Sequence, residues 1–482
     1  MLIKIFLQAC YRKVETMSIR ADYGDLAEIL AEAKRLSLDF HEGVTARPAG
    51  NVNASFSNID GMSLNGIGAA GALEVFEKNI MPGLSASVGP RYLGFVTGGA
   101  TPAAIAGDWL ASATDQNMAV PGDSIASYVT QQTLAMLRGL FDLPESFDGS
   151  FTSGATASNL LALLTALNWS GAKMGVDVTS DGVARLGKIE IFSACAHASF
   201  IKMMGVAGIG RSALVQIDRI PGGEAMDIYA LDKALSTSTA DVKIVVASAG
   251  TVTAASFDDL NAVADICEKH KIFMHVDGAF GLFARCHENY ADLCAGIERA
   301  DSITGDAHKW LNVPYDGAFF FTRHIDRLEA SLEVAAPYLD VAAPVPTYMN
   351  RSIENSQRFR ALPAWMTLMA YGRSGVAQMV AANCAQASRL SGLLVASENF
   401  ELLTPTSLNV VAFRGIFPHD VERGLSSKLL VEVNKTGDIY LTPGAFDGTS
   451  GIRAAFSNWM TSLDDVDIVM RALNQAYQKV AG

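Results

Sequence analysis

Apolar residues in the first part of the chain recur at helical spacing, with Leu26, Ile29, Leu30 and Ala33 on one face, so residues 20–80 read as helical. Text containing Pro and Gly from Pro82 to Pro102 then breaks the pattern. Two amphipathic segments follow, Ala104–Asn117 and Ser127–Leu140, and Asp142-Leu-Pro-Glu-Ser-Phe-Asp-Gly149 separates them from an apolar stretch at Leu160–Trp169. In the middle third the period changes. Short apolar, β-branched runs recur at Lys188–Phe192, Lys243–Ala247, Ile272–Val276 and Ala318–Phe321, with helix-like stretches such as Asp259–Lys271 between most of them. Strands alternating with helices predict an α/β fold on a mostly parallel, doubly wound sheet. A helix-like stretch over 365–394, strand candidates around Val410–Phe413 and Ile452–Phe456, and a final helix predict a smaller α+β domain. The expected division is an N-terminal helical segment over 1–85, a large domain over 86–375 and a small C-terminal domain over 376–482.

Composition narrows the class without naming a substrate. At 482 residues the chain exceeds one compact core, and 50% hydrophobic with 18% charged residues is a soluble globular balance. A formal charge of -13 argues against a nucleic-acid partner, because phosphate binding needs a basic surface. The six cysteines, at 10, 195, 267, 286, 294 and 384, form no Cys-x-x-Cys pair, which fits a reduced cytosolic protein. Eight histidines show no metal-ligand spacing, so no metal site is expected, and His275 is expected to face the sheet interior. The apolar opening Met1–Cys10 is short and makes a poor signal peptide; Met17 is an alternative start that would make residues 1–16 incidental. No apolar run reaches the roughly 20 residues that span a bilayer, so the expected setting is cytoplasmic, without a membrane partner.

Four polar features stand at strand ends or a helix start, where doubly wound sheets carry their functional side chains. Lys309, in Asp306-Ala-His-Lys-Trp310, follows the candidate strand Ala300–Thr304. Asp277 ends the run Ile272–Val276 and precedes Gly278-Ala279; a carboxylate there needs a partner, either as a helix cap or as counter-ion to a protonated ring nitrogen. His197, after Phe192-Ser-Ala-Cys-Ala196, is a core histidine or a ring that stacks on a ligand. Phe151-Thr-Ser-Gly-Ala-Thr-Ala-Ser-Asn-Leu160 opens an apolar helix with hydroxyl residues and Gly154, as an ordinary cap or an anion site. Taken together they supply what pyridoxal 5'-phosphate (PLP) asks of a protein: an anion cradle, a carboxylate for the pyridine nitrogen, a flat group over the ring, and a lysine amine.

With these motifs the chain resembles the group II PLP-dependent amino-acid decarboxylases, the family of aromatic-L-amino-acid and glutamate decarboxylases, from about Pro90 to the C-terminus. Further marks are Ala196-His-Ala-Ser199, Gly250-Thr-Val-Thr253, His275-Val-Asp-Gly-Ala279, Ala300-Asp-Ser302, His308-Lys-Trp310 with Val313-Pro-Tyr-Asp316, Ala361-Leu-Pro-Ala-Trp365 and Ile452-Arg453. The resemblance implies the aspartate aminotransferase-like fold (fold type I) and a homodimer with interface active sites, the N-terminal segment wrapping over the partner. It implies that Lys309 carries the cofactor as a Schiff base, that Asp277 pairs with the pyridinium nitrogen, and that His197 and Ala279 cover the two ring faces. Ser153, Gly154, Ala155 and Thr156 would hold the phosphate with His308 assisting, and Thr251 would lie at the cofactor. Arg453 matches an arginine near the substrate carboxylate. Tyr338 matches a mobile-loop tyrosine that delivers a proton to Cα, which favours amine over aldehyde.

Three positions depart from the family pattern: Val252 stands where threonine is usual, Gly278 where alanine is common, and Asp306 where the aromatic members often carry asparagine. Residues 88–98, with Phe95 and Val96, match the substrate-pocket segment loosely, so aromatic L-amino acids are only one expected substrate class. The expected activity is decarboxylation of an L-amino acid to amine and CO2. Another PLP reaction on the same scaffold, aldehyde formation or carbon–carbon lysis, is the alternative. A serine acyl-enzyme built on Ser199-Phe-Ile-Lys202 and Lys435-Thr-Gly437 lacks its Ser-Asp-Asn element, and no Gly-x-Gly-x-x-Gly follows a strand to hold a dinucleotide.

Overall fold

The β-branched and aromatic runs of the middle third pair into one seven-stranded sheet. In chain order its strands are β1 (Asp148–Thr152), β2 (Ile189–Ser193), β3 (Leu214–Gln216), β4 (Val242–Ser248), β5 (Phe273–Asp277), β6 (Ser302–Gly305) and β7 (Ala318–Thr322). Their spatial order is β1-β7-β6-β5-β4-β2-β3. Strands β3, β2, β4, β5 and β6 are parallel, while β7 runs antiparallel to both β6 and β1. The computed structural model describes residues 19–56, 61, 62, 64–119, 121–333, 344–417 and 424–482.

Alternation along β7 shows why the sheet is covered on both faces. Phe319 and Phe321 join the main core, where Phe319 stacks on Phe141 with ring centroids 5.6 Å apart. Phe320 points the other way, against Leu161, Ala162 and Leu328. Both faces of a parallel sheet must be buried, and near-continuous apolar strands are the result. Helices α1 (Ile19–Gly24), α2 (Leu26–Glu42), α3 (Gly68–Val75), α4 (Pro102–Thr114) and α5 (Ala126–Leu140) precede the sheet. Within and beyond it come α6 (Ala155–Met174), α7 (Ala198–Val206), α8 (Ile228–Thr237), α9 (Leu260–His270), α10 (Ala307–Trp310) and α11 (Ile325–Leu332).

A second, antiparallel sheet has the order β10-β11-β9-β8, from β8 (Phe400–Leu402), β9 (Val410–Gly415), β10 (Thr442–Phe446) and β11 (Thr449–Ala455). Its core joins Phe413, Leu429 of α13 (Leu425–Lys435) and Val469 of α14 (Leu463–Ala481). The 35-residue helix α12 (Ala361–Val395) ties the two sheets together. Leu368, Val376 and Val380 lie in the large core, while Leu390 and Leu394 lie in the small one. Gly372, at φ 58° and ψ -171°, kinks this helix three residues before the expected boundary at 375.

The helical reading of residues 20–80 is corrected in its middle. α2 stops at Glu42, and α3 starts only at Gly68. Pro48, Gly50 and several Asn and Ser residues lie in this stretch, and each favours turns over helix. Among the described residues no helix is long and apolar enough to cross a membrane.

Candidate active site

The C-terminal ends of β4, β5 and β6 lie side by side, with Ser248 opposite Asp277 and Asp277 opposite Thr304. The chain leaves each strand through a turn carrying polar groups, and these turns enclose a cavity of about 620 Å³. That volume lies within the range for a small-molecule site. Lys309 and His308 reach it from the turn after β6, Asp277 and Ala279 from β5, and Thr251 from the turn after β4. His197, just beyond β2, lines it as well. The β1 turn adds Ser153, Gly154, Ala155 and Thr156; the pocket segment adds Phe95 and Val96; and β11 adds Arg453. Every sequence-predicted site residue is therefore brought together except Tyr338, which lies outside the described residues.

Gly154 caps α6 without a side chain, so the first amides of this 20-residue helix point into the cavity as an anion cradle. One of them is already taken: Asp306 accepts a hydrogen bond from the Ala155 N–H at 2.6 Å. Its other oxygen lies 2.9 Å from Lys309 Nζ. Asp306 is buried, so pairing with both a helix N-terminus and an ammonium offsets the desolvation of its charge. The sequence reading sets Asp306 near the expected phosphate as a departure whose carboxylate either points away or binds a backbone N–H, and it binds that of Ala155.

Asp277 accepts from the Ala279 N–H at 3.2 Å and from Asn159 Nδ2 at 3.2 Å. His197 caps α7, its Nδ1 accepting from the Ser199 N–H at 3.2 Å. Burial holds the His197 imidazole below its usual pKa, against an upward pull from Asp277. His308 is lowered by burial too, and its ring lies 4.5 Å from that of Tyr315. Backbone packs tightly behind Lys309. A Cβ on Gly98 would sit 1.5 Å from the Lys309 carbonyl oxygen, so only glycine fits there.

Thr251 lines the cavity, but its hydroxyl is committed to the loop: it donates to Glu224 Oε2 and accepts from the Ser256 N–H at 3.0 Å. Arg453 donates to the Val252 carbonyl and to Thr442 Oγ1 at 3.3 Å, while its Nε is buried without a partner among the described residues. Burial lowers its pKa to about 10. Phe95 and Val96 occupy successive left-handed conformations, φ 56° and 60°. For a β-branched valine this is a true outlier, held by its surroundings.

A family model described as the pyridoxal-dependent decarboxylase conserved domain matches residues 71–416. The chain belongs to this family. An aromatic-L-amino-acid decarboxylase of Bacillus atrophaeus is 27% identical over 434 residues, covering 86% of this chain and 87% of the relative. An L-2,4-diaminobutyrate decarboxylase of Rhizobium meliloti (strain 1021) is 30% identical over 391 residues, covering 78% and 76%. The solved structure of Oryza sativa TDC with PLP and tryptamine superposes with a TM-score of 0.86 at 22% identity, covering 95% of this chain and 99% of that one.

Membership makes the protein a PLP-dependent carboxy-lyase with the fold type I architecture expected from the resemblance. The residues present fit PLP: a helix N-terminus whose amides beyond Ala155 carry no side-chain cap, a carboxylate at the end of β5 and a lysine amine, all on one cavity. Two side chains of this decarboxylase site escaped sequence reasoning, Asn159 and Ser199. The available signal was Asn159 itself, an amide on the buried face of an otherwise apolar helix, which must find partners.

Proposed function

We propose that this decarboxylase removes CO2 from an L-amino acid, with Lys309 as the lysine that carries PLP. The supporting observation is that Lys309, Asp277 and the N-terminus of α6 border one cavity. Bound PLP supplies an electron sink for the pair left behind when CO2 departs. Asp277 would keep the ring nitrogen of bound PLP protonated, and His197 and Ala279 would flank its ring. Ser153 to Thr156 would hold its phosphate with His308, and Thr251 would close the cofactor's side of the cavity. Arg453 meets the substrate carboxylate, which its unpartnered Nε favours. Phe95 and Val96 shape the substrate pocket, and Tyr338 delivers a proton to Cα.

The same reading divides the chain into a helical segment over 1–85, a PLP-binding domain over 86–375 and a small domain over 376–482. It makes the protein a cytoplasmic homodimer with its sites at the interface. Supporting this, the five described cysteines are free, and exposed apolar side chains cluster on α2, α4, α5 and α12.

The deciding experiment is a CO2-release screen of the purified, PLP-loaded protein against the common amino acids, L-DOPA and cysteine sulfinate. Release of CO2 with the matching amine is expected for at least one, and Lys309→Ala should lose both turnover and the visible band of lysine-bound PLP. A Lys309→Ala protein that kept both would end this reading. Tyr338→Phe should still release CO2 but shift the product from amine toward aldehyde. Unchanged amine output would remove Tyr338 from the mechanism.

A further inference from the structure

Asn159 lies one turn into α6, on the face turned to the sheet, and is fully buried. A carboxamide offers two donor and two acceptor positions. Here all four are used. Oδ1 accepts from Thr304 Oγ1 at 3.0 Å and lies 3.2 Å from His275 Nε2. Nδ2 lies 3.2 Å from Asp277 Oδ2 and 3.2 Å from Ser199 Oγ.

The ionised Asp277 carboxylate can only accept, so the nitrogen end of the amide must face it. That requirement, with the Ser199 backbone N–H, orders the rest of the network. With Oδ1 facing His275, the ring hydrogen of His275 sits on Nε2, and its Nδ1 accepts from the Ser302 hydroxyl at 2.9 Å. Because His197 Nδ1 accepts from the Ser199 backbone N–H, the serine hydroxyl, itself accepting from Asn159 Nδ2, donates to that nitrogen at 2.7 Å. The Ser199 N–H reaches the same nitrogen at 3.2 Å. His197 Nδ1 is thus an acceptor twice over, and its ring hydrogen sits on Nε2. Nε2 makes no hydrogen bond among the described residues, and His197 lines the cavity.

We infer that Asn159 is a positioning residue that serves both sides of the cofactor site. It holds the Asp277 carboxylate directly and, through Ser199, presents His197 to the cavity as an N–H donor. The inference rests on the proposed decarboxylase reading. An N–H at that edge suits an anionic substrate group, whereas the opposite tautomer would offer a lone pair and repel it. A helix and two strands meet at the one amide, so a single side chain sets the spacing between counter-ion and imidazole.

The test begins on the PLP-loaded wild-type protein labelled with 15N-histidine, with the His197 resonances assigned by their loss in His197→Gln. The expected form has its hydrogen on Nε2; a hydrogen on Nδ1 overturns the inference, and this measurement needs no disruptive variant. Two substitutions at the same amide then separate positioning from mere packing. Asn159→Leu removes the donors to Asp277 and Ser199 and should weaken PLP binding about tenfold, the factor carried by a lost hydrogen bond to a charged group. It should lower kcat to a similar extent with little change in KM. Thr304→Val removes one bond from the sheet side of the amide and should leave PLP affinity within about threefold. Equal loss of PLP affinity in both variants overturns the inference. A protein that released no CO2 would end the decarboxylase reading while leaving the tautomer result standing. An active enzyme with the hydrogen on Nδ1 would do the reverse.

Discussion

At the scale of single residues, charge is balanced over short distances around Lys309. Asp306 spends its carboxylate on Lys309 and on the same helix terminus proposed to hold the phosphate. A negative charge at that terminus competes with a phosphate for the helix dipole. Asp306→Asn keeps the acceptor for the Ala155 N–H and removes the charge, so PLP should bind about two- to fivefold tighter by equilibrium titration. His275 carries a second prediction. Burial lowers its pKa to about 4 from the usual 6.5. Below pH 6.5 the unfolded chain takes up a proton that the folded chain refuses until about pH 4, so stability falls as pH drops through that window. The loss is at most on the order of 3 kcal/mol. Asp258, buried and raised to about 6, works in the opposite sense and weakens the fold as pH rises toward 6. Denaturant midpoints measured from pH 7 to 4 should fall less steeply for His275→Gln than for the wild type. Lys309, Asp277, His197 and Thr156 were legible in the sequence because each directly follows an apolar run or opens an apolar helix. Asn159 and Ser199 were not, because their partners come from elements far apart in the chain.

At the scale of elements, the strands that could be read were the apolar, β-branched ones. β1 escaped because Asp148-Gly-Ser-Phe-Thr152 has little strand propensity of its own; pairing with β7 imposes its conformation. Gly149 is what permits that pairing, since a Cβ there would sit 1.8 Å from the Phe320 carbonyl oxygen. β3 and β8 have only three residues each, too few to show a period. Helix α9 ends with Lys271 in the left-handed conformation, φ 58°, a position that favours glycine. Lys271 is exposed, so Lys271→Gly relieves the strain without opening a cavity. Chemical denaturation should show a gain of about 1 kcal/mol.

At the scale of the whole molecule, one chain leaves its site open to solvent on one side. Phe95 and Tyr315 are exposed, and Trp109, Leu110, Tyr128 and Met369 spread the apolar surface over α4, α5 and α12. The proposed homodimer covers this surface. Trp109→Glu combined with Leu110→Glu should produce monomers by light scattering, with the far-ultraviolet circular dichroism of the wild type and little activity. Dimers that persist with full activity would show that these helices face elsewhere. The doubly wound sheet and the smaller C-terminal unit were legible from the change of period along the chain. Their physical connection was not, because it depends on pairings between residues more than three hundred positions apart.

Residues 91–98 make that connection at the proposed substrate pocket. Tyr440 donates its N–H to the Arg91 carbonyl at 3.0 Å and accepts from the Leu93 N–H at 2.9 Å, and the Tyr92 and Tyr440 rings stack 4.7 Å apart. A few residues on, the Gly98 N–H donates to the His308 carbonyl beside Lys309. On the proposed reading of Phe95 and Val96, substrate preference is therefore inherited jointly. A recombinant that takes its last eighty or so residues from one relative and the remainder from another would mismatch the stacked tyrosines. The turn at Phe95 and Val96 would then be reshaped without any change to its own sequence, and crossover points chosen for new specificities should keep residues 91–98 and 440 from the same parent.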